Sequence, residues 1–270
     1  MKSRLAELTK LGFEPVATLW TDEAPEGATA FGEGKMGCVI SLMASAAKGR
    51  VSVMDSKRFG CPGAGVGLGY GDCYSNVFPG GRDCFCHFLS SGNEGFPKGE
   101  AVISGMKGNA PEHFVHHFSH GERYIKNPEL TDDFVSTVGF MNLDKMTVFK
   151  PLSMVEPEKE TPVSVTFVCK PAQLSAMVIM CNYFRKGIEN VKAPFGAGCH
   201  SIGILTYKEA ESENPRGVIG MFDITARKTI KKSLGEDVLT FSMPYSLFLE
   251  MEANAEGSFL EEDQWRELIG

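Results

Sequence analysis

The sequence predicts an α/β (or α+β) fold, because segments typical of helices and segments typical of strands are interspersed along its 270 residues. Apolar residues make up 43% of the chain and charged residues 23%, which is ordinary for a globular protein. Two stretches also share the order apolar helix, Lys-Gly, short strand, Gly-Cys. We therefore expect two related α/β halves, residues 1–140 and 141–270, packed as one compact domain.

Helix and strand signals can be placed in order along the first half. "CVISLMASAAKG" is apolar and ends at Gly49, a typical helix C-cap, and Pro111 opens a further helix at its first turn. "RVSVMD" alternates as a strand does. The predicted elements are a helix over 3–12, a strand over 14–20, a glycine-rich loop over 25–37, a helix over 38–49, a strand over 50–55, a glycine stretch, and helices over 82–92, 111–124 and 128–138.

The second half is predicted from the same signals. Runs rich in β-branched and aromatic residues indicate strands, and longer apolar runs indicate helices. The predicted elements are strands over 145–152 and 161–169, a helix over 172–187, strands over 217–223 and 237–244, and helices over 244–257 and 259–268.

The relation between the halves rests on matched pairs of residues. Lys48-Gly49 recurs as Lys186-Gly187, and Gly60-Cys61 recurs as Gly198-Cys199, at one and the same spacing. A duplication would put Cys61 and Cys199 in equivalent places, and pseudo-twofold packing would bring both to a shared interface. Cys38 has no cysteine counterpart and would belong to one half only.

Composition restricts the classes of function. The net charge is −7, so a basic footprint for nucleic acid is missing from the sequence as a whole. No apolar run has the length of a membrane span, and "MKSRLAELTKLGF" is not a signal peptide, so we expect a cytoplasmic protein with no membrane partner. The eight cysteines are then not a disulfide framework, and without a C-x-x-C pair they fit neither a zinc ribbon nor a thioredoxin motif.

The stretch "GCPGAGVGLGYG" combines a cysteine with closely spaced glycines. It matches the dinucleotide fingerprint G-x-G-x-x-G in no register, and it is not a P-loop. If it is extended, its alternate glycines give one face without side chains, which a ligand can approach closely. Gly63, Gly65 and Gly67 are therefore candidate ligand-binding residues. A glycine-rich structural turn beside a buried cysteine is the alternative.

Three cysteines follow a glycine, and these are the candidate metal ligands: Cys38, Cys61 and Cys199. Three thiolates from separate loops can bind a [4Fe–4S] cluster with one iron left open, and that iron can bind a substrate as a Lewis acid. Zinc is the alternative metal. His200 is adjacent to one of these ligands, so it is better suited to donate a hydrogen bond to the site than to ligate the same metal.

Two other groups of residues are candidates for binding. Arg227 either pairs with Asp223 along a helix or orients an anionic small molecule in the pocket. "HFVHHFSH" contributes several histidines to one helix face, which either binds a metal or haem or is an exposed polar surface.

The order of the segments "KMGCVISLMASAAKG", "FGCPGAGVGLGYG", "VFPGG", "PFGAGCHSI" and "GMFDITARK" resembles the uncharacterised ArCR family, domain of unknown function 169, over nearly the whole chain. The family is frequent in anaerobic bacteria and archaea. The resemblance implies that Cys38, Cys61 and Cys199 are family cysteines, and that Gly63, Asp223 and Arg227 occupy recurring positions. It implies kinship in fold and does not supply a reaction.

The leading functional prediction is a cysteine-ligated metal-centre protein acting in redox or small-molecule metabolism, with [4Fe–4S] as the expected cofactor. The alternatives are a metal-free protein that binds a small anion, and an enzyme with a cysteine nucleophile. Whether the protein is an enzyme, and whether it associates with copies of itself, are left open.

Overall fold

A mixed β-sheet organises the structure, a computed structural model that describes residues 1–106 and 108–270. Within those residues the strands are β1 (Val16–Thr21), β2 (Ser52–Met54), β3 (Met146–Pro151), β4 (Ser164–Cys169), β5 (Val191–Lys192), β6 (Gly217–Gly220) and β7 (Leu239–Pro244). Their order in the sheet is β2-β3-β1-β4-β7-β6-β5. Neighbouring strands are antiparallel except β5 and β6, which are parallel. The expected mixed α/β class is confirmed.

Helices connect and cover these strands. In the described residues they are α1 (Arg4–Leu8), α2 (Ile40–Ala46), α3 (Pro62–Leu68), α4 (Cys73–Asn76), α5 (Gly81–Leu89), α6 (Pro97–Met106), α7 (Glu112–His120), α8 (Pro128–Val138), α9 (Pro171–Tyr183), α10 (Gly198–Ile202), α11 (Ile204–Ala210), α12 (Ile224–Leu234), α13 (Tyr245–Ala253) and α14 (Asp263–Ile269). Short 3-10 turns lie at Leu152–Met154 and Phe259–Glu261. Among the described residues, no helix combines the length and the apolar character needed to cross a bilayer.

One face of the sheet forms the hydrophobic core. Because side chains alternate along a strand, Phe167 of β4 and Phe241 of β7 are direct partners on this face. Helix α13 places Phe248 against them, with ring centroids of Phe167 and Phe248 6.2 Å apart. Helix α9 adds Met177 and Met180, both fully buried. Burial of these large side chains is the main stabilising contribution to the sheet.

The opposite face of the sheet carries hydroxyl groups. Its buried hydroxyl-bearing residues are Thr18, Ser52, Thr147, Ser164, Thr166, Thr240 and Ser242. The hydroxyls of Thr166 and Ser242 are 2.9 Å apart. Helices α10 and α11 pack on this face, and Gly220 leaves the space that Ser201 of α10 occupies. The helix that holds Cys199 is thus fixed directly on the sheet.

The chain divides into two compact units, residues 1–69 with 143–270, and residues 70–142. The first unit contains the sheet. The second consists of α4 to α8 and has its own aromatic cluster, in which the rings of Tyr74 and Phe85 stack with centroids 3.8 Å apart and Phe118 is fully buried. The duplication into halves 1–140 and 141–270 stays a prediction.

Candidate functional site

The structure brings the three candidate cysteines together at the beginnings of three helices. Cys38 lies two residues before α2, Cys61 is the N-cap of α3, and Cys199 is the second residue of α10. Cys61 and Cys38 both act electrostatically on Cys199, and Cys38 acts on Cys61. Three loops that are distant in sequence therefore place their thiols in one neighbourhood.

Burial controls the ionisation of these thiols. It raises the pKa of Cys61 to about 11, with smaller contributions from Cys38 and the Asp223 carboxylate. Burial likewise raises the pKa of Cys199 well above its usual value, and neighbouring Cys61 and Asp223 add to the effect. The pKa of Cys38 is raised for the same reason. All three thiols are consequently protonated at neutral pH in the protein without a metal.

Backbone amides point at two of the sulfurs. The N–H group of Ile40 donates to the Cys38 thiol, and those of Gly63 and Ala64 donate to Cys61, whereas the Ser41 N–H donates to the Cys38 carbonyl at 2.9 Å. The first amides of a helix lack partners within the helix, so they are free to do this. Such donors lower the pKa of the thiol, and they stabilise negative charge on sulfur.

The glycines before Cys38 and Cys61 allow their two loops to touch. A Cβ atom at Gly60 would overlap the carbonyl oxygen of Gly37, and one at Gly37 would overlap the ring of Phe31. Gly60 also has a φ of +85°, a conformation that residues with side chains rarely adopt. The Phe31 ring thus contacts both glycines and fixes the two cysteine loops against each other.

The glycine stretch is not extended, so the condition for a face without side chains is not met. Residues 62–68 form α3, with Pro62 at its first position. Gly67 packs on α10, where an added Cβ would lie 2.7 Å from the carbonyl carbon of Cys199. Because Gly67 has no side chain, the backbone of Cys199 in α10 can lie against it. Gly65 is buried within α3, and the Gly63 carbonyl accepts a hydrogen bond from the Cys199 thiol at 3.3 Å.

Two further residues contribute to the site, and the sequence did not indicate their roles. Asp223 caps α12 through the amide of Ala226 at 2.7 Å, and its second oxygen accepts from the amide of Gly198 at 2.5 Å. It therefore holds the beginnings of α10 and α12 together. Thr229, one turn and a half further along α12, donates its hydroxyl to the Thr225 carbonyl at 2.9 Å and interacts with the Cys38 thiol. An Asp at the start of a helix is a recognisable cap, but its second partner is visible only in the fold.

Arg227 and His200 are both engaged with the backbone. The Arg227 guanidinium donates to the carbonyls of Val238 at 3.1 Å and Met221 at 3.5 Å, and to that of Glu236. Burial lowers the pKa of His200 to about 4, so its imidazole is neutral. Its Nδ1 accepts from the Ala197 amide at 3.3 Å, which places the ring proton on Nε2.

The donor set suits a metal that prefers sulfur, although the side chains do not stand in ligand geometry. In the described part of the chain, no three His, Cys, Asp or Glu residues form a group that could hold a metal ion as they stand. Ligation would require the three thiols to lose their protons and rotate toward a common centre. The amide donors around Cys38 and Cys61 would then face thiolate sulfur, which is the environment that cluster-binding thiolates have.

Fold and site together define a mixed α/β protein in which three cysteines, one buried and two partly buried, lie near one another at helix starts. Residues 4–254 match the family described as uncharacterised ArCR, domain of unknown function 169, so the chain belongs to that family. The resemblance noted from the sequence is confirmed. No curated protein and no solved structure matches the chain.

Proposed function

We propose that Cys38, Cys61 and Cys199 ligate a metal centre, and that this centre is a [4Fe–4S] cluster with one iron not bound by cysteine. The observation that supports the proposal most directly is the convergence of the three thiols from three separate helix starts. Each thiol would lose its proton on ligation, and the cationic metal would offset the cost of placing three thiolates together.

The surrounding residues would prepare the site for such a centre. The amide of Ile40 would donate to the Cys38 thiolate, while Asp223 holds the start of α10 in place. When bound, the cluster would supply either electron transfer or an electrophilic iron for a small molecule. This assignment puts the protein in redox or small-molecule metabolism.

The geometry gives less support to the two rival functions. A cysteine nucleophile needs a lowered pKa, whereas burial raises the pKa of all three thiols. A metal-free anion site was expected to use Arg227, whose guanidinium is already engaged by backbone carbonyls. Zinc bound by the same three cysteines remains the competing metal.

Anaerobic reconstitution with ferrous iron and sulfide tests the proposal. We expect about four iron and four sulfide per chain, as the cluster type requires, with broad visible absorption. Cys199→Ser should lose most of the iron and the absorption. Cys181→Ser is the matched control, because Cys181 is buried in the core away from the site and donates to the Asn190 carbonyl, a bond that a serine hydroxyl retains.

Three results would overturn the cluster assignment. The first is a colourless protein without iron after reconstitution. The second is equal iron content in Cys199→Ser and Cys181→Ser, which would show that the ligands lie elsewhere. The third is stoichiometric zinc binding that excludes iron, which would keep the ligands and replace the metal.

A further inference from the structure

Helix α7 exposes a histidine pair that the cysteine site does not use. The helix buries Phe118 and turns its histidines to solvent. His116 and His120 are one helical turn apart, and their ring centroids are 4.6 Å apart. Two imidazoles at this separation can bind one ion from the solvent side.

A neighbouring loop is fixed against the end of the same helix. The backbone N–H of Glu94 donates to the carbonyl of Ser119 at 3.0 Å, and that of Asn93 donates to the carbonyl of Phe118 at 3.1 Å. A Cβ at Gly92 would overlap the Ser119 carbonyl oxygen, so only glycine permits this close approach. Glu94 therefore has a defined position beside the last turn of α7.

The Glu94 carboxylate contacts one of the two rings. Its Oε2 lies 3.3 Å from Nδ1 of His120. A carboxylate at this nitrogen favours the tautomer that carries the proton on Nδ1, which leaves the lone pair on Nε2 for a metal. Metal-binding histidines are typically oriented by a carboxylate in this way.

We infer that His116 and His120 chelate a divalent late first-row transition-metal ion, such as Ni²⁺ or Zn²⁺, with Glu94 orienting His120. Imidazole nitrogen selects these ions over Mg²⁺ and Ca²⁺, which prefer oxygen ligands. Within the described residues no third protein ligand completes the group, so water fills the remaining positions. This site is separate from the three cysteines and does not depend on the proposed function.

Calorimetric titration of the protein with Ni²⁺ tests the inference. We expect the wild-type protein to show a binding event that is lost in both His116→Gln and His120→Gln. Glu94→Gln should weaken that event about tenfold, since it removes only the orienting carboxylate. His113→Gln is the matched control on the same exposed helix and should bind as the wild type does.

Proton NMR of the histidine rings gives a second measurement that does not depend on variants. Paramagnetic Ni²⁺ should broaden the ring signals of His116 and His120 before those of His113. The inference is overturned if the wild-type protein binds no Ni²⁺, if both His116→Gln and His120→Gln bind it normally, or if His113→Gln abolishes binding. Binding that involves the cysteines would persist in all the histidine variants, so the two sites are distinguishable.

Discussion

Glu209 is a buried carboxylate that joins three elements through hydrogen bonds. Its residue surface is 4% exposed, and its carboxylate lies 2.6 Å from Nζ of Lys192 on β5 and 3.0 Å from Nη2 of Arg216 before β6. The Arg216 amide also donates to it at 2.9 Å. Burial alone would raise the pKa of Glu209, but the bonds from Arg216 and Lys192 outweigh burial and hold the pKa below its usual value.

Protonation of Glu209 at acidic pH should therefore lower the free energy of unfolding. A lowered pKa means that the ionised form stabilises the fold; its contribution is present above the usual glutamate pKa and is lost as pH falls through the lower value in the fold. Glu209→Gln should cost about 2 kcal/mol at neutral pH. It should also narrow the difference in unfolding free energy between neutral and acidic urea titrations. Glu236→Gln, in an exposed pair with Lys231, is the control and should change little. An undiminished acid effect in Glu209→Gln would contradict this account.

At the scale of elements, the contact between α3 and α10 determines the cysteine site. Gly67 contacts the backbone of Cys199, and a Cβ at Gly203 would overlap the carbonyl oxygen of Gly67. The two helices therefore approach backbone to backbone, which places Cys61 and Cys199 near each other. The glycines of this contact allow the two helices to approach each other closely.

Gly67→Ala should lower the melting temperature even though alanine favours helices. Overpacking against a backbone costs about 1–3 kcal/mol, whereas alanine gains about 1 kcal/mol in helix propensity over glycine. Because the Cys199 backbone is rigid, we expect the cost of overpacking to exceed this gain. Gly105→Ala in α6 is the control, because nothing lies within 4 Å of its added Cβ. That variant should be stabilised. Equal shifts of melting temperature for the two variants would argue against a tight α3–α10 contact.

Helices and strands were predicted correctly where one sequence signal dominated. The prediction failed where two signals favoured different structures. The apolar run ending at Gly49 predicted α2 correctly. Alternate glycines favoured an extended interpretation of residues 62–68, whereas Pro62 at the first helical position favoured the helix that forms. Helices α10 and α11 were not predicted, because residues 198–210 combine glycine, cysteine and histidine without a clear helical period.

Glycine before cysteine singled out Cys38, Cys61 and Cys199, and the structure places these three thiols in one neighbourhood. Their role as metal ligands stays a prediction, and the residues that surround them were not predicted. Contacts made by Phe31 and Thr229 join residues far apart in sequence. A single sequence carries no signal for such contacts.

At the scale of the whole molecule, the sheet order bears on the predicted duplication. Strand β1 begins at the pair Pro15-Val16, and strand β4 follows the pair Pro162-Val163. These two strands lie side by side at the centre of the sheet. β2 and β5, which follow the Lys-Gly pairs, lie at the two edges. A pseudo-twofold axis between β1 and β4 would relate β2 to β6 and not to β5, because β2 lies two strands from β1 whereas β5 lies three strands from β4. In addition, β2 pairs antiparallel with β3 while β5 pairs parallel with β6, so the duplication stays a prediction.

The hydroxyl-bearing face of the sheet predicts opposite effects for two similar substitutions. Among the described residues, the buried hydroxyl of Thr18 has no hydrogen-bond partner, whereas that of Thr166 is paired with Ser242. Thr18→Val should be neutral or stabilising, because it removes an unsatisfied polar group. Thr166→Val should cost about 1–3 kcal/mol by leaving Ser242 unsatisfied. Denaturant unfolding of both variants measures the difference, and a larger loss in Thr18→Val would refute the assignment.

The position of β1 between β3 and β4 has a consequence for biosynthesis. Both neighbours of β1 are encoded more than 120 residues after it, as the pairs Val16 with Pro151 and Val16 with Thr166 show. A nascent chain that has reached residue 69 carries Cys38 and Cys61 but has neither the sheet nor Cys199. Such long-range pairing slows folding. The ribosome must therefore have synthesised the chain beyond Cys199 before the three cysteines can come together.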